Sequence, residues 1–190
     1  MRPTLVCDLD GVVFDFDLGW CRRMGIEPGQ VQEWDELHIL AGLDTPAEFW
    51  AWFQESGGFK GLPLYEEARA ALELAQARGW FIIYATNRPN WAMEHTFEEL
   101  ARFSLPQANH LYRTDRKWEV SGDLYLEDAP HNLWTMMESG CRVLPVAQPW
   151  NRRFLEGWLE YGWIERLTPD TLRPHLVAVE EHLTTLPQGS

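Results

Sequence analysis

Basic charge is scarce in this 190-residue chain: 16 lysines and arginines stand against 29 aspartates and glutamates, for a net charge of −13. A nucleic-acid polymer is held through a basic stripe, so no such partner is expected. A small anion remains possible, because it needs compensation at one site only. Cysteine is scarce too. Cys7, Cys21 and Cys141 lack metal-ligand spacing, and an odd, scattered set fits a reducing cytoplasm better than a disulfide framework. No apolar stretch approaches the ~20 residues of a membrane span, and Met1-Arg-Pro leads into only three apolar residues before Asp8, which predicts no signal peptide. Repeats and low-complexity segments are absent. What remains is a composition of 45% apolar and 24% charged residues, ordinary for a soluble globular protein, with an unusual 11 tryptophans. Flat aromatics in that number supply core and, potentially, stacking surface. Oligomeric state is not readable from these features.

The periodicity predicts alternating strands and helices. Thr4 to Cys7 reads as a buried strand, Glu66 to Arg78 as an amphipathic helix closed by Gly79, and Trp80 to Ala85 as an apolar strand. A helix over Asn90–Phe103 follows, then strands at His110–Arg113, Leu124–Leu126 and Arg142–Val146, with a helix around Asn132–Ser139. Such alternation predicts an α/β fold, a three-layer Rossmann-like parallel sheet whose ligands bind at the carboxyl ends of the strands. Residues 17 to 56 look helical, and the gap from Asp10 to Thr86 is far longer than a βα crossover needs. The expected organisation is a core of residues 1–16 and 62–190 with a small helical cap, residues 17–61, inserted after the first strand. The tail, 151–190, should add two helices packed on the core, one rich in Trp158, Tyr161 and Trp163, and end in a frayed 186–190.

The chemistry concentrates in Leu5-Val-Cys-Asp8-Leu-Asp10-Gly11. Residues two apart on a strand point the same way, so Asp8 and Asp10 project together. Two adjacent carboxylates repel unless a cation lies between them or one holds a proton. Asp8 suits a nucleophile that would form an aspartyl phosphate, and Asp10 a general acid and base. Thr86 and Asn87 follow the apolar strand and offer a hydroxyl and backbone N–H groups for phosphate oxygens, with Arg88 a further gripping group. Lys117 could neutralise the nucleophile and the transferring phosphoryl group. Leu124-Tyr-Leu-Glu127-Asp128 ends a strand in an acidic pair. Asp128 is the candidate Mg²⁺ ligand with Asp8 and the Asp10 carbonyl, and Glu127 a contributor through a water.

Asp-x-Asp-Gly-Val, then Thr86, then Lys117, then Glu127-Asp128, in that order, resembles the haloacid dehalogenase (HAD) superfamily of phosphotransferases. The run Asp8-Leu-Asp-Gly-Val-Val-Phe-Asp15-Phe, the helical insertion, Lys117 with Gly122-Asp-Leu-Tyr-Leu-Glu-Asp128, and Val146-Ala-Gln-Pro-Trp-Asn151 are similar to its 5′(3′)-deoxyribonucleotidase branch over about residues 4 to 152. The resemblance implies a HAD-like fold, the nucleophile at Asp8, acid–base work at Asp10, phosphate binding at Thr86 and Lys117, and metal at Asp128. It also implies base recognition by aromatics of the cap and first loop, here Phe14, Phe16, Phe49, Trp50, Trp52 and Phe53. Two positions depart from the branch: Glu127 replaces its usual aspartate, and Thr86-Asn-Arg-Pro89 is a rare second motif.

The expected activity is Mg²⁺-dependent hydrolysis of nucleoside monophosphates, deoxy forms favoured, in the cytoplasm. A phosphatase for another small phosphomonoester such as a sugar phosphate, a phosphomutase, or a non-catalytic nucleotide- or partner-binding domain are the alternatives. The intact Asp8, Asp10, Lys117 and Asp128 set speaks for an enzyme.

Overall fold

The apolar runs fold, in a computed structural model that describes residues 2–33, 36–157 and 162–185, into five strands: β1 (Thr4–Cys7), β2 (Phe81–Thr86), β3 (Leu111–Arg113), β4 (Leu124–Glu127) and β5 (Val143–Pro145). All pair in parallel, in the order β3-β2-β1-β4-β5. The described α-helices are α1 (Phe16–Met24), α2 (Leu37–Leu40), α3 (Pro46–Glu55), α4 (Glu66–Ala77), α5 (Met93–Arg102), α6 (Pro130–Glu138), α7 (Arg152–Glu156) and α8 (Pro169–Thr185).

Side-chain alternation sorts the strands into two buried faces, as a sheet covered on both sides requires. Leu5, Cys7, Ile82, Tyr84, Leu124 and Leu126 join one core with Ala68, Ala71, Leu72 and Ala75 of α4 and Leu172, Leu176 and Val179 of α8. Val6, Ala85 and Tyr125 face the other way, onto Met136 of α6 and the half-buried Trp118 and Val120. The architecture is therefore three-layered α/β. Burying each large apolar side chain contributes roughly 1.5–3 kcal/mol, so α8 matters to the layer it completes.

Local signals account for the boundaries. Beyond α4, Gly79 takes φ +89°, its N–H bonds Gln76 O, and the Trp80 N–H bonds Ala75 O at 3.0 Å. That is a Schellman closure, which tolerates glycine best at its left-handed position. It absorbs Trp80, so β2 begins one residue later than the apolar run suggested and extends to Thr86. Asp123, just ahead of β4, accepts the Thr4 N–H at 2.7 Å and so tethers the start of β1. The helix expected over 90–103 opens as a 3₁₀ turn at Asn90–Ala92.

Between Asp15 and Tyr65 the described residues form three α-helices, α1 closed by Gly25 and α3 beginning at Pro46 behind the Thr45 cap. The segments entering and leaving this excursion are bonded to each other: Asp15 N–H to Pro63 O at 2.8 Å and Tyr65 N–H to Val13 O at 2.9 Å. In the tail, Trp163 lies in irregular chain between α7 and α8, so the aromatic helix expected there does not extend to it. Trp158, Tyr161 and residues 186–190 lie outside the described residues. Among the described residues no helix is long and apolar enough to cross a membrane.

Candidate active site

Parallel strands deliver their carboxyl ends to one edge. With β1 central, Asp8 leaves β1 beside Glu127 and Asp128 leaving β4 and Thr86 ending β2. The strand order reverses direction at β1, the place where such sheets bind ligands. Asp8, Thr86, Lys117, Glu127 and Asp128 are all buried.

Lys117, in a 3₁₀ turn after β3, sends Nζ to Asp8 Oδ1 at 2.7 Å and to Glu127 Oε2 at 2.8 Å. Glu127 Oε1 accepts the backbone N–H groups of Asp128 (3.2 Å) and Ala129 (3.0 Å). Both Glu127 oxygens are thus engaged in holding the lysine and the turn after β4. Trp150 Nε1 donates to Asp128 Oδ2 at 2.8 Å, and Asn151 Nδ2 donates to the Asp128 carbonyl at 2.7 Å. Burial pushes the carboxyls of Asp8 and Asp128 up, and each is raised further by the acidic neighbours, while Lys117 pulls both back. Lys117 itself stays charged, its affinity for the proton raised by Asp8 and Glu127 against the cost of burial.

Donor atoms of Asp8, Glu127 and Asp128 lie within 4.8 Å of one another. Three buried carboxylates facing one ammonium leave uncompensated negative charge of the size a divalent cation cancels, and all the donors are hard oxygens. Asp8 Oδ2 and Asp128 Oδ1 make no hydrogen bond recorded among the described residues. The residues present therefore fit such an ion.

Gly11 explains the glycine of the first motif. It adopts φ +80°, and an added Cβ would fall within contact distance of Asp128 Oδ2, 2.7 Å from Asp128 Cγ and 3.1 Å from Trp150 Cζ2. Gly11→Ala is expected to cost about 1–2 kcal/mol from the left-handed backbone alone, with further loss as Asp128 is displaced. Denaturant unfolding reads this directly, and a variant as stable as wild type would contradict the close approach.

Asp8 and Asp128 line a cavity of about 350 Å³ together with Asp10, Thr86, Asn87, Phe16, Trp50, Phe59 and Trp91. Trp50 and Phe59 stack at 6.5 Å and 22°, and Phe59 lies 5.6 Å from Trp91. Of the aromatics expected to meet a base, the structure brings Phe16 and Trp50 to the cavity but not Phe14, Phe49, Trp52 or Phe53. Phe14, Phe49 and Phe53 are fully buried, and Phe49 and Phe53 stack at 5.8 Å and 10° in the packing of α3. Helical spacing put these rings on one face; that face is core. Phe59 and Trp91 were missed. Phe59 follows Gly57-Gly58 and Trp91 lies five residues after Thr86, so their placement at the ends of the excursion and second motif was the available signal. Trp150 was legible only as part of a similar string. Arg88 also lines the cavity, although it is almost wholly buried and clasps Asp10.

A family model described as "5' nucleotidase, deoxy (Pyrimidine), cytosolic type C protein" matches residues 2–166. No curated protein matches the chain by sequence. Among solved structures, a HAD family hydrolase from Deinococcus radiodurans R1 with bound phosphate and sodium is 16% identical, covering 94% of this chain and 96% of its own, with a TM-score of 0.57. A β-phosphoglucomutase from Clostridium difficile is 9% identical over 97% of this chain and 100% of its own, TM-score 0.54. A HAD hydrolase of family IA, variant 3, from Entamoeba histolytica HM-1:IMSS is 12% identical over 87% and 92%, TM-score 0.51. At such identities these structures speak to the fold alone, and the fold they share is HAD-like. The family match spans every described strand and all four motifs, and on it the chain belongs to the cytosolic type C deoxy (pyrimidine) 5′ nucleotidase family, as a phosphoric monoester hydrolase of HAD-like fold.

Proposed function

We propose that this hydrolase removes phosphate from nucleoside monophosphates, deoxy forms favoured, through an aspartyl phosphate on Asp8 and with Mg²⁺. The observation that carries the nucleotide reading is that Phe16, Trp50, Phe59 and Trp91 line one cavity with Asp8 and Asp128. A volume of about 350 Å³ falls within the ~300–1,000 Å³ of small-ligand sites, and stacking on aromatics contributes ~1–3 kcal/mol per base. We read residues 17–61 as a cap on the core of 1–16 and 62–190, because Trp50 and Phe59 reach the cavity from that excursion.

On this reading Asp8 Oδ2, free of Lys117, attacks phosphorus; the P–O bond to the alcohol breaks as Asp10 gives the leaving oxygen its proton. A water then attacks phosphorus with its proton passing to Asp10, the Asp8–phosphoryl bond breaks, and phosphate leaves. Lys117, fixed by Asp8 and Glu127, offsets charge on the phosphoryl oxygens, and the Thr86 hydroxyl with the N–H groups at Asn87 supplies donors. Asp8, Asp128 and the Asp10 carbonyl would hold the Mg²⁺, which supplies Lewis-acid charge neutralisation when bound. Glu127 acts from behind, on Lys117 and the Asp128 turn.

A panel of ribo- and deoxyribonucleoside monophosphates and sugar phosphates, assayed for phosphate release with Mg²⁺ and with EDTA, tests this. Turnover is expected with the nucleotides and is expected to vanish with EDTA. Turnover confined to sugar phosphates would sink the nucleotide reading and leave the chemistry standing. Trapping with beryllium fluoride in Mg²⁺ checks the covalent step separately.

A further inference from the structure

Arg88 belongs to the rare second motif Thr86-Asn-Arg-Pro89, and its surroundings are unusual for a phosphate-gripping arginine. Its guanidinium is buried and makes a two-point contact with one carboxylate: Nη2 to Asp10 Oδ1 at 2.6 Å and Nε to Asp10 Oδ2 at 2.8 Å. Nη1 is spent on Thr96 Oγ1 at 3.0 Å, and that hydroxyl in turn donates to Ala92 O at 2.8 Å. The guanidinium carbon lies 4.6 Å from the Phe59 ring centre and 5.2 Å from that of Phe14. The main chain is held as well, Arg88 N–H to Thr86 Oγ1 at 3.2 Å and Arg88 O receiving Arg113 Nε at 3.2 Å. Every nitrogen of the fork thus has a protein partner, leaving little with which to grip a phosphate. A fork this constrained fixes the plane and direction of the carboxylate it holds, which a lysine cannot do.

We propose that Arg88 is the positioning residue for Asp10: the Thr96–Arg88–Asp10 chain, its guanidinium packed on Phe14 and Phe59, aims the acid–base carboxylate at the leaving oxygen. The inference rests on the reading of Asp10 given above. It differs from phosphate binding, because Arg88 acts on the alcohol side of the reaction and only through Asp10. Misplacing a catalytic group by about 1 Å costs on the order of 10²-fold.

The test is a double-mutant cycle in the full chain with Mg²⁺: wild type, Arg88→Met, Asp10→Asn and both together, with Arg88→Lys as a variant that keeps charge but not the fork. Single-turnover alcohol release is followed for thymidine 5′-monophosphate, whose alkyl leaving group needs a proton, and for p-nitrophenyl phosphate, whose leaving group does not. Nucleoside release should fall roughly 10²-fold in Arg88→Met, and no further in the double variant than in Asp10→Asn alone. Arg88→Lys should show the same leaving-group signature. The p-nitrophenol burst should stay within about threefold of wild type and KM should hardly move. A KM rise for both esters, persisting in the Asp10→Asn background, would make Arg88 a phosphate binder and overturn the inference. Equal losses on both esters with a lowered melting temperature would make it structural, with the same consequence. An Arg88→Met enzyme as fast as wild type beside a slow Asp10→Asn would overturn the Arg88 role alone, whereas a wild type inert on the nucleotide, or an Asp10→Asn enzyme as fast as wild type, would remove the reading beneath it.

Discussion

Asp8→Asn is expected to reduce phosphate release by about 10⁴-fold or more while leaving the protein as stable as wild type or more so. The two halves have separate causes. Asparagine keeps the volume at the end of β1, and its amide oxygen can still accept from Lys117, where the aspartate accepts at 2.7 Å. It lacks the anionic oxygen that would attack phosphorus, so no acyl phosphate forms. Stability moves the other way because burial pushes the Asp8 carboxyl up, with Glu127 and Asp10 adding to the shift. At neutral pH that charge is costly in the metal-free fold, and the neutral amide removes it. Phosphate release and thermal unfolding on the same preparation give both readouts. Activity within tenfold of wild type would rule out Asp8 as the nucleophile.

Lys117→Met is expected to damage both properties. Methionine preserves much of the buried stem but leaves Asp8 and Glu127, which share one ammonium at 2.7 and 2.8 Å, with no cation between them. Breaking a buried pair from one side costs about 3–5 kcal/mol, because the remaining charge stays desolvated. The same change removes charge stabilisation of the transferring phosphoryl group, for a further ~10²–10³-fold loss in turnover. Measured in EDTA, the stability deficit has a defined pH dependence. Burial raises the Asp8 carboxyl and Lys117 pulls it back, so removing Lys117 raises it further. A carboxyl raised on folding loses stability as pH climbs through its folded value. The deficit should therefore be smaller at pH 5 than at pH 8. Lys60→Met, at the only other lysine and an exposed one, should stay within about 0.5 kcal/mol of wild type. A Lys117→Met protein as stable as that control would mean the buried pairing does not exist in solution.

Residues whose role depends on strand ends were the legible ones. Asp8, Thr86 and Asp128 each follow a short apolar run, and such runs alternating with helices read as buried strands of a parallel sheet, so their convergence followed from local pattern and topology. Lys117 was readable from its order among the motifs, although nothing local distinguishes it from a solvated surface charge. The aromatics were read less well. Phe49 and Trp50 are adjacent in sequence and share every compositional property, yet one is buried in the packing of α3 and the other lines the cavity. A helix turns about 100° between such neighbours, and only the docking of α3 decides which side faces out.

By itself the sequence determined the layer architecture, the strand ends at which the acidic residues gather, and a like-charge repulsion that a cation or a bound proton must relieve, because periodicity and like-charge repulsion act over a few residues. The tertiary structure alone decided three things. Glu127 holds Lys117 and the turn after β4 with both oxygens, Trp150 and Asn151 brace Asp128 from more than twenty residues away, and Arg88 clasps Asp10 across 78 residues of chain. Such partners are chosen by where loops from different strands meet, and no local pattern encodes a contact between groups that only the closed sheet brings within reach.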